Sequence, residues 1–378
     1  MRILHVVGAR PNFMKVAPVY RALSRHPEVR QIVVHTGQHY DFNMSDVFFQ
    51  QLGLAPPDFN LQVGSGSHAR QTAEIMTRFE PLLPDLSPDL VLVYGDVNST
   101  VAAALVCSKL RIPVGHVEAG LRSFDRSMPE EINRVLTDQL ADLLFTPSDD
   151  GNLNLAREGV SAEQVHLVGN VMIDTLVQML PAAERQPIPG VPERFALVTL
   201  HRPANVDDPA WLQEMLQSLQ TIAEDLAVVF PVHPRTREQI ARLDHNGSGA
   251  RGLMLLDPLP YLTFLALQRK ATVVITDSGG IQEETTFLGI PCLTVRENTE
   301  RPITVQAGTN MLVGRDPRRL LVQLEPILSG RWKKGRIPPL WDGHAAERIV
   351  DVILDRKEAN AGVLGNGLSR EKEKFFPV

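Results

Sequence analysis

The sequence predicts an α/β protein of two Rossmann-like domains, each a parallel sheet, facing a central cleft. Three observations carry that expectation. Short, continuously apolar, β-branched runs alternate with longer stretches of helical periodicity, as in parallel sheets covered on both faces. The alternation restarts after about residue 170. Polar and charged residues gather directly behind the apolar runs, where open α/β sheets bind ligands.

In the first half, Arg2–Val7, Ile32–Thr36, Leu90–Tyr94, Val114–Val117, Leu143–Thr146 and Val165–Val168 read as buried strands, with helices such as Val16–Arg25 and Thr100–Lys109 between them. In the second, Ala196–Thr199, Ala227–Val232, Leu253–Leu256, Thr272–Thr276 and Cys292–Val295 are strands, and Pro209–Asp225 and Pro317–Leu328 are helices. The stretch Pro181–Glu193 holds four prolines and reads as a loop, because proline is poor material for a helix interior. The expected division is 1–170 for the first domain, completed by a helix at about 345–357, and 171–344 for the second. Residues 358–378, rich in Gly, Asn, Lys and Glu, read as a frayed tail.

With 378 residues the chain exceeds one comfortable core, which fits two domains. A net charge of −6 speaks against a nucleic-acid or anionic-membrane binder, so no such partner is expected. No apolar run approaches a membrane span, and the N-terminus opens on a strand rather than a signal peptide. Cys107 and Cys292 lack metal spacing and fit a reducing, cytoplasmic setting. The histidines have no ligand companions at usable spacing, so no metal is expected.

The densest signal is Asp277-Ser278-Gly279-Gly280-Ile-Gln-Glu283-Glu284, where a strand runs into a helix N-terminus. Unpaired N–H groups and the helix dipole make that end an anion site. Ser278 can cap the helix, the glycines admit a phosphate, and Glu283 and Glu284 lie one turn in, within reach of ribose hydroxyls. Arg10 and Lys15, opening the first helix, supply further phosphate donors. The glycine spacing of a dinucleotide fingerprint is missing there, so no nicotinamide cofactor is expected. Asp96, Glu118 and one of Glu130 and Glu131 follow strands or open a helix, and carboxylates converging on one site can divide proton-accepting and proton-donating work. His201 and His233 at strand ends suit phosphate contact or proton shuttling, and Arg301 closes the site wall.

Eight ordered motifs form a recognisable set: Gly8-Ala-Arg10-Pro…Lys15, Thr36-Gly-Gln38-His39, Tyr94-Gly-Asp96, Gly115-His-Val-Glu118-Ala-Gly-Leu-Arg122, Pro129-Glu130-Glu131-Ile-Asn133-Arg134, Thr199-Leu-His201-Arg202, Asp277 to Glu284, and Thr299-Glu300-Arg301-Pro302. In that order, over roughly residues 1–355, the chain resembles the bacterial non-hydrolysing UDP-N-acetylglucosamine 2-epimerases. The resemblance implies the GT-B architecture, a cytoplasmic homodimer serving cell-surface polysaccharide synthesis, and interconversion of UDP-GlcNAc and UDP-ManNAc without a cofactor. It implies Asp96, Glu118 and Glu130 as acids and bases, joined by His201, and Arg10, Ser278, Gly279 and Gly280 at the diphosphate with Lys15, Arg134, His233 and Arg301 nearby. Glu284 would take the ribose, and Phe264 with the backbone near Leu262 the uracil. Two stretches depart toward relatives that epimerise a UDP-2,3-diacetamido-glucuronate: 35–46 and Arg122-Ser-Phe-Asp-Arg126, while Leu200 replaces a glycine found before the histidine in several members. A GT-B glycosyltransferase and a non-catalytic nucleotide-sugar sensor are the competing readings.

Overall fold

The computed structural model describes residues 1–38, 49, 52–188, 190–243 and 252–356. The tail at 358–378 and His39 lie outside the described residues.

Two compact units are present. One comprises Met1–Gly120, Ile132–Val171 and the stretch from His344 onward; the other comprises Leu121–Glu131 and Met172–Gly343. The first unit holds β1 (Arg2–Val7), β2 (Arg30–His35), β3 (Phe59–Asn60), β4 (Leu90–Tyr94), β5 (Val114–Val117), β6 (Leu143–Thr146) and β7 (Val165–Leu167). Their order in the sheet is β3-β2-β1-β4-β5-β6-β7. The second unit holds β8 (Phe195–Thr199), β9 (Ala227–Pro231), β10 (Leu253–Leu256), β11 (Val273–Thr276), β12 (Cys292–Thr294) and β13 (Asn310–Leu312), in the order β10-β9-β8-β11-β12-β13. Every pairing in both sheets is parallel.

Both sheets thus reverse direction once, between β1 and β4 and between β8 and β11. A crevice opens at such a reversal, because the helices after the two central strands leave toward opposite faces. Residues 8–15 and 95–96 follow β1 and β4; residues 201–202 and 277–280 follow β8 and β11.

Most strand residues are apolar because both faces are covered, with His5, His35, His116 and Asn310 among the buried polar exceptions. On β8, Ala196 and Val198 enter one hydrophobic cluster while Phe195 and Leu197 enter another on the opposite face. Caps set the long helices: Asp208 accepts from Trp211 N at 3.2 Å before Pro209–Asp225, and Asp316 from Arg318 N at 3.0 Å before Pro317–Leu328.

Three differences from the expected elements stand out. Helix Val171–Glu184 contains Pro181, so the proline-rich loop begins later than its first proline. Burial of Val171, Met172, Ile173, Leu176 and Met179 outweighs the one backbone bond the ring removes. Strands β3 and β13, of two and three residues, were not anticipated. The C-terminal helix covers 345–356. Among the described residues no helix is long and apolar enough to cross a membrane.

Beneath the first sheet's crevice, His5 on β1 is sealed from solvent between the Tyr94 hydroxyl (2.7 Å) and Gln31 Oε1 (3.0 Å). Burial pushes its pKa down to about 4, and that of His35 also to about 4. Between about pH 6.5 and pH 4 the unfolded imidazoles take up protons that the folded ones refuse, so stability falls as pH falls through that window. For His5 the loss is on the order of 3 kcal/mol. Urea unfolding at pH 7.5 and pH 5 measures it, and the pH dependence is expected to be shallower in His5→Gln; equal slopes would contradict this role.

Candidate functional site

In the first unit the acidic loops are built around Gly95. This residue has a left-handed φ of +63°, and a Cβ on it would lie 2.6 Å from Lys15 Nζ and 3.2 Å from Glu118 Oε2. Only glycine admits both the backbone conformation and that close approach. Lys15 and Glu118 form an ion pair, with side chains 6% and 4% exposed. Glu118 itself has φ +76°, which is strained for a residue with a side chain. Its N–H and that of Ala119 both donate to Phe145 O, at 3.1 and 3.0 Å. Two donors on one carbonyl end the ladder between β5 and β6 and turn the chain out of the sheet.

The cap position of helix Asn98–Leu110 is Val97, the residue after Asp96. Asp96 Oδ2 accepts from Arg134 Nε at 3.0 Å and Nη2 at 2.6 Å, and the Asp96 carbonyl accepts from Asn133 Nδ2 at 2.9 Å. The first helix is tied in by Asn12, whose Oδ1 accepts from the N–H groups of Gly8 and Ala9 while Nδ2 donates to Tyr94 O. Arg10 opens that helix, and its side chain lies outside the described residues. Lys15 and Arg134, anticipated near the ligand, each bond a carboxylate of the acid set.

Glu130 and Glu131 belong to the segment Leu121–Glu131, which groups with the second unit although the chain on either side groups with the first. The expectation of one acid set on one domain is therefore modified: Asp96 and Glu118 lie in one unit and Glu130 in the other. The segment's own bonds explain the grouping, since Asp125 accepts from Asn298 at 3.4 Å and Met128 Sδ lies 3.9 Å from Arg202 Nη1. Glu131 is a buried clamp that accepts from Ser123 N (2.9 Å), Ser123 Oγ (3.0 Å) and Phe124 N (2.9 Å). Glu130, next to it, is half-buried, and its charge acts on Arg202.

In the second unit the strand ends converge on Asp277, a fully buried carboxylate. It accepts from His201 N (3.2 and 3.1 Å), Arg202 N (2.9 Å) and Asn205 Nδ2 (3.2 Å), and lies 3.2 Å from His201 Nδ1. One side chain thereby fixes the loop after β8 and the orientation of the partly exposed His201 ring. The His233 ring lies 6.2 Å from it, and His233 Nδ1 accepts from Arg235 N at the start of helix Pro234–Arg242.

Helix Gly279–Leu288 starts behind β11. Ser278 occupies the cap position, but its side chain makes no capping bond, contrary to expectation; its N–H donates to Thr276 Oγ1 at 3.0 Å. A Cβ on Gly279 would collide with Arg301 Nη1 and lie 2.7 Å from Glu300 Oε1, whereas Gly280 has only Met172 Cε nearby, at 3.8 Å. Arg301, read as a ligand contact, lies between Glu283 (Nε–Oε1 2.8 Å) and Glu300. Glu284 accepts from the Tyr261 hydroxyl at 2.9 Å, and Phe264 packs against the core on the same helix as Tyr261. Arg202 draws attention that its sequence context did not. Burial and neighbouring Arg296 pull its pKa down, while Glu300, Asp277 and Glu130 counter them.

Two parallel α/β units, with cation-paired carboxylates behind the strands of one and a glycine-rich helix start behind the strands of the other, have the arrangement of nucleotide-binding α/β proteins. Residues 21–354 match the family model described as UDP-N-acetylglucosamine 2-epimerase. A UDP-N-acetylglucosamine 2-epimerase of Methanococcus maripaludis is 40% identical over 93% of this chain and 98% of its own. A UDP-2,3-diacetamido-2,3-dideoxy-D-glucuronate 2-epimerase of Pseudomonas aeruginosa is 41% identical over 93% of this chain and 99% of its own. The crystal structure of the Methanocaldococcus jannaschii UDP-GlcNAc 2-epimerase in complex with UDP-GlcNAc and UDP matches at TM-score 0.86 and 40% identity, over 94% of this chain and 99% of that one. The chain belongs to the UDP-N-acetylglucosamine 2-epimerase family and is an isomerase.

The adjacent acids separate experimentally. Glu131→Ala strands the N–H groups of Ser123 and Phe124 and is expected to cost about 1–3 kcal/mol of stability. Glu130→Gln, with no such bonds to lose, should unfold at the wild-type urea concentration. Equal destabilisation by the two would refute the distinction.

Proposed function

We propose that the protein reversibly epimerises UDP-GlcNAc and UDP-ManNAc at C2 by eliminating and re-adding UDP. The observation that carries this reading is the pairing of each first-unit acid with its own cation, Glu118 with Lys15 and Asp96 with Arg134, in a family member 40% identical to named epimerases. Sugar C2–H is not acidic by itself. When the C1–O bond breaks, UDP leaves with the electron pair and positive charge develops at C1. A carboxylate can then take the C2 proton, and the C–H electrons form the C1=C2 double bond of a glycal. Return of a proton to the opposite face of C2, with attack of the UDP oxygen on C1, completes the inversion without net consumption of anything.

Asp96, Glu118 and Glu130 form the acid–base set in this proposal. Ser278, Gly279, Gly280 and the helix they open hold the diphosphate, with His201 held in place by Asp277 and with Arg10. Lys15, Arg134 and Arg301 act through the carboxylates they bond; Glu284 meets the ribose, Phe264 the uracil, and His233 lies beside His201. The protein works in the cytoplasm, as its two buried free thiols suit, as a homodimer supplying cell-surface polysaccharide synthesis. Exposed Ile132 and Leu136, one turn apart on helix Pro129–Leu140, support self-association.

A second substrate, UDP-2,3-diacetamido-glucuronate, is favoured by the 41% identity to the Pseudomonas enzyme of that name. Proton NMR of each UDP-sugar incubated with the protein in heavy water distinguishes them: the true substrate gains deuterium at C2 and its epimer appears. Glu118→Gln and Asp96→Asn are expected to bind UDP normally and to turn over about 10²–10⁴-fold more slowly. Absence of C2 exchange with both sugars would reject the proposal, and wild-type turnover in either variant would reject the role of that acid.

A further inference from the structure

His116 on β5 and Asp138 on helix Pro129–Leu140 are completely shielded from water and have no place in the chemistry above. His116 Nδ1 lies 2.6 Å from Asp138 Oδ1. His116 Nε2 lies 2.8 Å from Gly95 O, and Asp138 Oδ2 accepts from Gly120 N at 3.0 Å. A carbonyl oxygen can only accept, so Nε2 carries a hydrogen.

These bonds join the two acidic loops. Gly95 immediately precedes Asp96, and Gly120 comes two residues after Glu118. Gly95 also packs directly on the Lys15–Glu118 pair. The helix bearing Asp138 supplies Asn133 and Arg134, which bond the carbonyl and carboxylate of Asp96. The two carboxylates are therefore connected through one buried imidazole and one buried carboxylate, with the strained backbone at Glu118 between the two grips. An apolar pair of similar volume could fill the same space without the cost of burying polar groups.

We infer that His116 and Asp138 are positioning residues that hold Asp96 and Glu118 in register for proton transfer at C2. The inference rests on the C2-epimerase reading. It requires hydrogen-bond geometry at position 138, not negative charge. Asp138→Asn keeps an oxygen for Gly120 N–H and offers an amide donor to Nδ1, leaving the Nε2 hydrogen on Gly95 O. Asp138→Leu fills the space and breaks both bonds.

The test measures kcat, KM, C2 deuterium wash-in and UDP affinity of the full chain in wild type and both variants. A misplacement of about 1 Å at reacting groups costs about 100-fold, so Asp138→Leu is expected to lose roughly that factor in kcat and wash-in, with KM and UDP affinity unchanged. Asp138→Asn is expected to restore most of the rate. Wild-type kcat in Asp138→Leu overturns the inference, as does an Asp138→Asn enzyme as slow as Asp138→Leu. Should Asp138→Leu fail to fold, His116→Gln, which breaks the bond to Asp138 but keeps a donor for Gly95, takes its place: reduced kcat with unchanged UDP affinity is expected, and wild-type kcat overturns the inference. Wild-type protein that exchanges no C2 hydrogen rejects instead the reading underneath.

Discussion

A carboxylate withdrawn from water must be given donors or a cation, and that constraint determines what each acid in this protein can do. Left alone in the interior it costs several kcal/mol. Asp277 and Glu131 are satisfied mainly by backbone N–H groups, which fixes loops and leaves little acceptor capacity for a ligand. Glu118 and Asp96 each bond a cation, Lys15 and Arg134. An acid fastened by backbone donors holds the loop that supplies them; an acid fastened by a side-chain cation is tied to another element of the fold.

The two sheets show how one topology supports unlike chemistries. Both place strand ends around a single reversal of order, and both bury their strands on two faces. Polar side chains are few within the strands, His5 and His116 among them, and collect where strands stop. What differs is the residue immediately behind them. The first unit places Gly95-Asp96 there, beside the cations of two helices; the second places Ser278-Gly279-Gly280 at a helix start, with the Arg301 guanidinium against Gly279. Fold fixes the place, and short loops fix the chemistry.

The same distinction governs how much the sequence disclosed. Central strands were legible because burial on both faces demands apolar, β-branched runs. Strands β3 and β13 were not, since in each of these short edge strands an asparagine interrupts the apolar run. Pro181 misled because its local penalty is outweighed by packing elsewhere along its helix. In the acidic loops, the partners that hold each carboxylate were not legible. Glu130 and Glu131 are neighbours of one chemical type, and only the folded positions of Ser123 and Phe124 separate clamp from candidate acid. Asp277 could be read as the end of a strand, but its hold on His201 spans 76 residues. For Arg134, Lys15 and Arg301 the sequence shows a charge without showing which carboxylate it pairs with in the fold.

The backbone at Glu118 shows why such partnerships need geometry. In an extended strand, residues 116 and 118 would project from the same face, since side chains alternate with period two. That register would direct Glu118 along with His116 toward the buried helix. The doubled bond onto Phe145 O and the left-handed turn at Glu118 break the alternation. His116 remains within the core with Asp138, while Glu118 turns to Lys15 and Gly95. Strain of about 1–3 kcal/mol is the usual cost of that conformation in a residue with a side chain. The surrounding contacts must offset it, and a glycine at 118 would relieve it only by deleting the carboxylate. The strained conformation persists because the carboxylate and the turn are required at the same residue.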